Sequence, residues 1–176
     1  AEDRDLFTKK LPNCDEIIAA YYERKSKKLP TIEAFDAKEW AMEGADLIKK
    51  RNEKIELVVK AGMSKKFRKS VFPTQHKVLL ITDGDRSLRS DACQEAVKKG
   101  YDIAIFYNYS PDKSEVWLAL RAAKVDVAEI SNNITCKKGI GGGHVLASGA
   151  TIDESTKFYV HPVNPNNWIE TLFEDC

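Results

Sequence analysis

KVLLITDGDRSLRSDACQEAVKKGYDIAIFYNYS, residues 77–110, decides the fold class. KVLLIT is a short apolar run suited to a buried strand. Leu88 to Lys99 is amphipathic, with Gly100 placed to cap its C-terminus, and YDIAIFYNYS reads as a second strand. A strand, a helix and a strand in succession form the unit of an α/β domain. Downstream, EVWLALRAA adds a strand with polar interruptions. VDVAEISNNI adds a helix that Asp126 can cap, and HVLASGATI and KFYVHPV supply further apolar segments. NPNNWIETLFEDC is expected to close the chain with a short helix started near Asn166 or Asn167, its Trp168, Leu172 and Phe173 pinned to the body.

Upstream of residue 77 the texture changes. Only Gly44 and Gly62 occur before residue 84, and the pattern is helical. Asn13 or Asp15 can cap a helix through CDEIIAAYYERKSKK, with Ile17, Ile18, Ala20 and Tyr21 as its apolar face, and Pro30 forbids continuation. Thr31 can cap a second helix whose apolar row is Trp40, Gly44, Leu47, Ile48, Ile55, Val58 and Val59, stopped by Gly62. At about 30 residues this helix would be about 45 Å long. SKKFRKSVFPTQH, residues 64–76, shows no clear period and reads as a linker; its basic and aromatic residues suit either a solvated connector or a strip touching a nucleic-acid backbone. The expected fold is therefore α/β: a helical connector of two helices, the second long, followed by a mixed-sheet substrate-binding domain. The divisions fall at 1–12, 13–63, 64–76 and 77–176.

Composition narrows the classes. The chain has 176 residues, 43% hydrophobic and 31% charged, enough apolar side chain for a core. No stretch approaches the roughly 18 uncharged apolar residues of a membrane helix, and AEDRDLFTKK has no apolar core fit for a signal peptide. Formal net charge is +1, so no global field draws the chain to polyanions. Four widely spaced cysteines, with no C-x-x-C pair, read as reduced thiols in a cytoplasmic setting.

The sharpest local signal is KKGIGGGHVLASGATI, residues 137–152, where four glycines fall in five positions. Such a run costs folding entropy that a mere turn does not require. Consecutive glycines expose N–H groups that can form a nest for phosphate oxygens, and His144 at its edge can donate a further hydrogen bond. The alternative is a flexible loop followed by a core histidine. Arg121 interrupts an otherwise apolar strand, where its guanidinium calls for an anionic partner unless it reaches solvent.

GGGH followed by small residues and glycine, after a strand carrying Ala119-Leu120-Arg121 and a V-D-V-A-E-I helix, resembles the C-terminal DHH-associated domain of the DHH phosphoesterases. EDRDLFTKKLPNCDEI is similar to the segment closing the catalytic domain in exopolyphosphatase-related members, and the long helix resembles their interdomain connector. The resemblance implies an enzyme whose N-terminal domain holds two divalent metals, usually manganese, while its second domain grips the substrate phosphate. It carries over Arg121 as a phosphate clamp, Gly141, Gly142 and Gly143 as a backbone cradle, and His144 as the donor steering the scissile phosphate. Ser148 stands where the family motif commonly has alanine. The D-H-H triplet and the N-terminal aspartate pair are missing, and only Asp3, or Asp5 in its place, matches a metal-binding stretch. One carboxylate cannot hold two hard cations. This chain is accordingly expected to be a fragment, catalytically inert alone and binding no metal by itself.

The implied substrate is a short single-stranded nucleic acid, a nucleotide or polyphosphate, with no membrane partner and with a homodimer as the expected assembly. Two rival readings stand beside it. One is a stand-alone nucleic-acid or nucleotide-binding module. The other is a haloacid-dehalogenase-type phosphatase using Asp83 as nucleophile and Asp85 as acid, in which VLLITDGDRS supplies strand and D-x-D. Without that chemistry, Asp85 or Ser87 simply caps the following helix.

Overall fold

A computed structural model describes residues 12–28, 36–68, 75–82, 85–110, 115–135, 142–152 and 172–176. The chain divides into two compact units, Ala1–Lys54 and Ile55–Cys176. Among the described residues there are four helices and a seven-stranded mixed sheet, with helices preceding the sheet. This is the α/β architecture that the strand–helix–strand reading implies.

In the first unit, helix α1 spans Cys14–Ser26 and helix α2, Ala37–Lys60, begins. Asn13 does not cap α1 through its side chain: it sits in the left-handed region at φ 56° and makes no side-chain bond, while its carbonyl accepts from Ile17 N. Asp15, the other candidate cap, lies inside the first turn, where its charge meets the positive end of the helix dipole. α2 is shorter than the pattern predicts. Its N-cap is Asp36, whose Oδ1 accepts from Lys38 N at 2.8 Å and Glu39 N at 3.0 Å; Thr31 lies outside the described residues. Of the predicted apolar row, Trp40, Gly44, Ile55, Val58 and Val59 are buried, while Leu47 and Ile48 are half-buried. Arg24 of α1 reaches across to Glu39 and Glu43, each at 2.7 Å, with its guanidinium 5.1 Å from the Trp40 ring centroid. Gly44 allows the two helices to approach: a Cβ there would collide with the Glu16 carbonyl and lie 2.8 Å from Glu16 Cα.

The second unit is the sheet. Its strands are β1 Met63–Phe67, β2 Lys77–Thr82, β3 Ile103–Ser110, β4 Glu115–Ala122, β5 Gly142–His144, β6 Ala147–Ile152 and β7 Phe173–Asp175. Their spatial order is β5-β6-β4-β3-β2-β1-β7. β2 and β3 are parallel, joined through a 3₁₀ turn, Arg86–Leu88, and helix α3, Arg89–Lys98; the other pairs are antiparallel. Gly100, at φ +92°, ends the α3 crossover in the left-handed conformation a C-cap glycine adopts. Helix α4, Val127–Thr135, follows β4, and Asp126 caps it as expected, accepting from Ala128 N and Glu129 N.

Side chains alternate between the two faces of the sheet. One face packs Leu80, Ile105, Leu118, Leu120 and Ala150 against Val127, Ile130 and Ile134 of α4. The other packs Leu79, Ile81, Ala104 and Phe106 against Leu88, Ala92, Cys93 and Ala96 of α3 with Ile55, Val58 and Val59 of α2. Both faces of the central strands are thus covered, which is why KVLLIT and IAIF read as continuous apolar runs.

Two expectations are corrected. Residues 64–67 are not the opening of a linker but most of β1, which pairs with β2 and β7; residues 69–74 lie outside the described set. At the C-terminus, Phe173–Asp175 is a strand rather than the end of a helix, held by register Phe67↔Phe173 and a 4.7 Å ring contact between the two phenylalanines. Leu172 and Phe173 are buried as predicted, while Trp168 and KFYVHPV lie outside the described residues. None of the described helices is long and apolar enough to cross a membrane.

Candidate functional site

The glycine-rich segment forms a hairpin at one edge of the sheet. β5 and β6 are joined by the two-residue turn Val145–Leu146, with pairs His144↔Ala147, Gly143↔Ser148 and Gly142↔Gly149. Val127 N donates to Val145 O at 2.8 Å and Ala122 N to Leu146 O at 3.2 Å, fixing the turn to the start of α4 and the end of β4. Gly143, at φ +149°, is required by this geometry: a Cβ would collide with the Ala147 carbonyl and lie 2.8 Å from Ser148 Cα. Gly149 is not constrained in this way, since among the described residues a Cβ there meets Leu118 O alone, at an ordinary 3.5 Å. Ser148 turns to the opposite, buried face, where its hydroxyl donates to Ser131 Oγ at 2.6 Å, so the buried hydroxyl has its partner.

Register determines which side chains share a face. Arg121 on β4 stands opposite Ala147 on β6, which stands opposite His144 on β5. The three therefore form one row on the face that carries α3. With strands about 4.8 Å apart, the backbones of Arg121 and His144 lie about 10 Å from one another. Among the described residues, Ala147 stands between them in the row. His144 is exposed and Arg121 half-buried. Arg121 Nη2 donates to Ser90 Oγ of α3 at 2.9 Å and Nη1 to Leu120 O at 3.0 Å, both neutral acceptors. The next row along holds Ala119, buried against α3, with Gly149 and Gly142 beside it. The row after that holds Trp117 between Thr151 and Asn108.

Two cations were not singled out by sequence reasoning. The guanidinium of Arg89 lies 4.7 Å from the Trp117 ring centroid and that of Arg86 lies 6.0 Å from it. Arg86 Nη2 also donates to Asn108 Oδ1, at 3.4 Å. Their spacing in R-S-L-R was the available signal: residues three apart at the start of a helix share a side.

Beneath this face Cys93 is buried, and its Sγ lies 3.8 Å from Ala119 O. Burial pushes its thiol up to about 12, against the pull of nearby Arg121, so it is no nucleophile at neutral pH. Asp85 has a structural task, accepting from Ser87 N at 3.0 Å and Ser87 Oγ at 2.6 Å at the start of the 3₁₀ turn. Asp83, Gly141, Asp3 and Asp5 lie outside the described residues. Among the described residues no group of three His, Cys, Asp or Glu side chains could hold a metal ion.

No family model matches the chain, and no curated protein matches it in sequence. Among solved structures it is similar to PggH, a pGpG-specific phosphodiesterase from Vibrio cholerae, with a TM-score of 0.41 and 15% identity, over 65% of this chain and 37% of that one. The chain thus spans little more than a third of that protein's length.

Proposed function

We propose that this chain is the phosphate-binding and nucleotide-binding portion of a phosphoesterase of the DHH kind, with Arg121, the Gly141–Gly143 backbone and His144 as its grip on the substrate phosphate. One observation carries the reading: Arg121 and His144 stand in a single cross-strand row, separated by an alanine, on a face where both reach solvent. Among the described residues the half-buried guanidinium bonds to neutral oxygens, which leaves it donors for an anion. Arg121 would take two non-bridging oxygens as a fork and His144 a third contact, while peptide N–H groups of the glycines suit the remaining oxygen. Such bonds orient the phosphorus and withdraw charge that would repel a nucleophile. The described residues do not fit the two divalent cations, manganese by resemblance, that hydrolysis in this family uses. Binding and orientation are the work we assign to this chain. Its substrate would be a nucleotide, a short single-stranded nucleic acid or polyphosphate in the cytoplasm, and its assembly a homodimer.

The test is titration with inorganic phosphate and with a 5′-phosphorylated mononucleotide, followed at the His144 imidazole by NMR. Arg121→Gln and His144→Ala should each weaken binding by about 10-fold or more, as expected for loss of a charge-assisted bond. Unchanged affinity in variants that keep the native amide spectrum would overturn the assignment. Binding that survives both substitutions would favour a nucleic-acid module that holds its ligand elsewhere.

A further inference from the structure

The R-S-L-R segment places two guanidiniums against one indole. Arg86 and Arg89 are exposed, and both lie within 6.0 Å of the Trp117 centroid. Like charges three residues apart on a helix repel. Among the described residues neither arginine is paired with a carboxylate; Arg86 has the neutral Asn108 amide oxygen at 3.4 Å. The ring holds both planes by cation–π attraction and reduces the freedom an exposed arginine would lose on binding. Two guanidiniums braced on one ring, without a carboxylate partner among the described residues, make a preorganised anion receptor.

We infer that Arg86 and Arg89, braced on Trp117, form a second phosphate subsite on the face that carries Arg121 and His144, and that the two subsites hold separate phosphates of one single-stranded oligonucleotide. The inference rests on the phosphate-binding reading of Arg121 and His144. Trp117 and Arg121 are four residues apart on β4, a separation of about 13 Å along the strand. Between them Ala119 is buried against α3, and beside it in the same row Gly149, half-buried, and Gly142 carry no charge. Linear polyphosphate carries charge at every unit and would lay several anionic groups on this neutral strip. An oligonucleotide separates its phosphates with neutral sugars and flat bases, so it lays fewer charges on the uncharged strip between the two ends. Gly149 fits that use, because among the described residues an added Cβ would meet Leu118 O alone, at 3.5 Å, and its backbone does not require glycine.

Isothermal titration with a 5′-phosphorylated RNA trinucleotide, the matching mononucleotide and linear polyphosphate tests this. Arg86→Gln/Arg89→Gln should weaken the trinucleotide at least about 10-fold and leave the mononucleotide within about twofold. The salt slope for the trinucleotide should become shallower by about 0.7 for each phosphate that the variant no longer neutralises. Gly149→Ala should weaken the trinucleotide alone. Equal losses for mononucleotide and trinucleotide, or no loss for either, would overturn the second subsite. Polyphosphate bound as tightly as the trinucleotide, and equally sensitive to the double substitution, would overturn the oligonucleotide assignment. Arg121→Gln leaving mononucleotide affinity intact would instead overturn the reading of the first site.

Discussion

Gly143 and Gly149 are identical in sequence and opposite in what they permit. At Gly143, φ +149° and the close Ser148 Cα at 2.8 Å leave no room for a side chain, so Gly143→Ala should cost about 2 kcal/mol in urea unfolding. Gly149→Ala should change stability by no more than about 0.5 kcal/mol. The glycine run was legible as a place of close backbone approach. Which glycine is required by the hairpin and which has room for a Cβ depends on register, which adjacent letters do not carry. Cys93 supplies a second residue-level prediction. Its thiol is raised from 9.0 to about 12 by burial, so between those pH values the unfolded thiol ionises while the folded one does not. Stability should therefore decline as pH rises from 9.0 toward about 12. Cys93→Ala should lose that part of the alkaline slope, measured as unfolding midpoint against pH.

Helix α2 depends on one carboxylate at its start. The amides of Glu39 and Lys38 hold Asp36 below the ordinary carboxylate value of 3.8. The stabilisation it gives is present above pH 3.8 and is lost as pH falls through the lower folded value. Asp36→Ala should fray the first turn at neutral pH and remove this acid sensitivity, read by hydrogen exchange at the Lys38 and Glu39 amides. The cap was missed because Asp36 sits within a run, TIEAFDAKEW, that itself reads as helix, and a cap is set by where the chain turns. β1 was missed for a different reason. MSKKF carries two lysines and no alternation strong enough to mark a face, as suits a strand whose pairing rather than composition defines it. Its partner β7 is three residues long and more than a hundred positions away, beyond any local pattern.

At the scale of the whole molecule, the two units have unequal cores. The described part of the first buries Ala20, Trp40 and Gly44, whereas the second holds two apolar layers, one on each face of the sheet. A helical pair with so little buried surface is expected to open below the global unfolding free energy. Gly44→Ile should push α1 from α2 by displacing the Glu16 backbone, so α1 amides should exchange at least about 10-fold faster while those of β3 and β4 keep their protection. Equal loss in both would show the units to unfold together. The sequence alone determined the class: period and punctuation over residues 77–110 fixed the strand–helix–strand unit, Asp126 its later cap, and the glycine–histidine run one edge of the candidate site. Tertiary structure decided that Arg121 and His144 share a row, that Ser148 leaves it, and that Arg86 and Arg89 join Trp117 on the same face. Periodicity records how each segment divides inside from outside, while cross-strand register, which sets the neighbours on a face, arises from hydrogen bonds between residues distant in the chain.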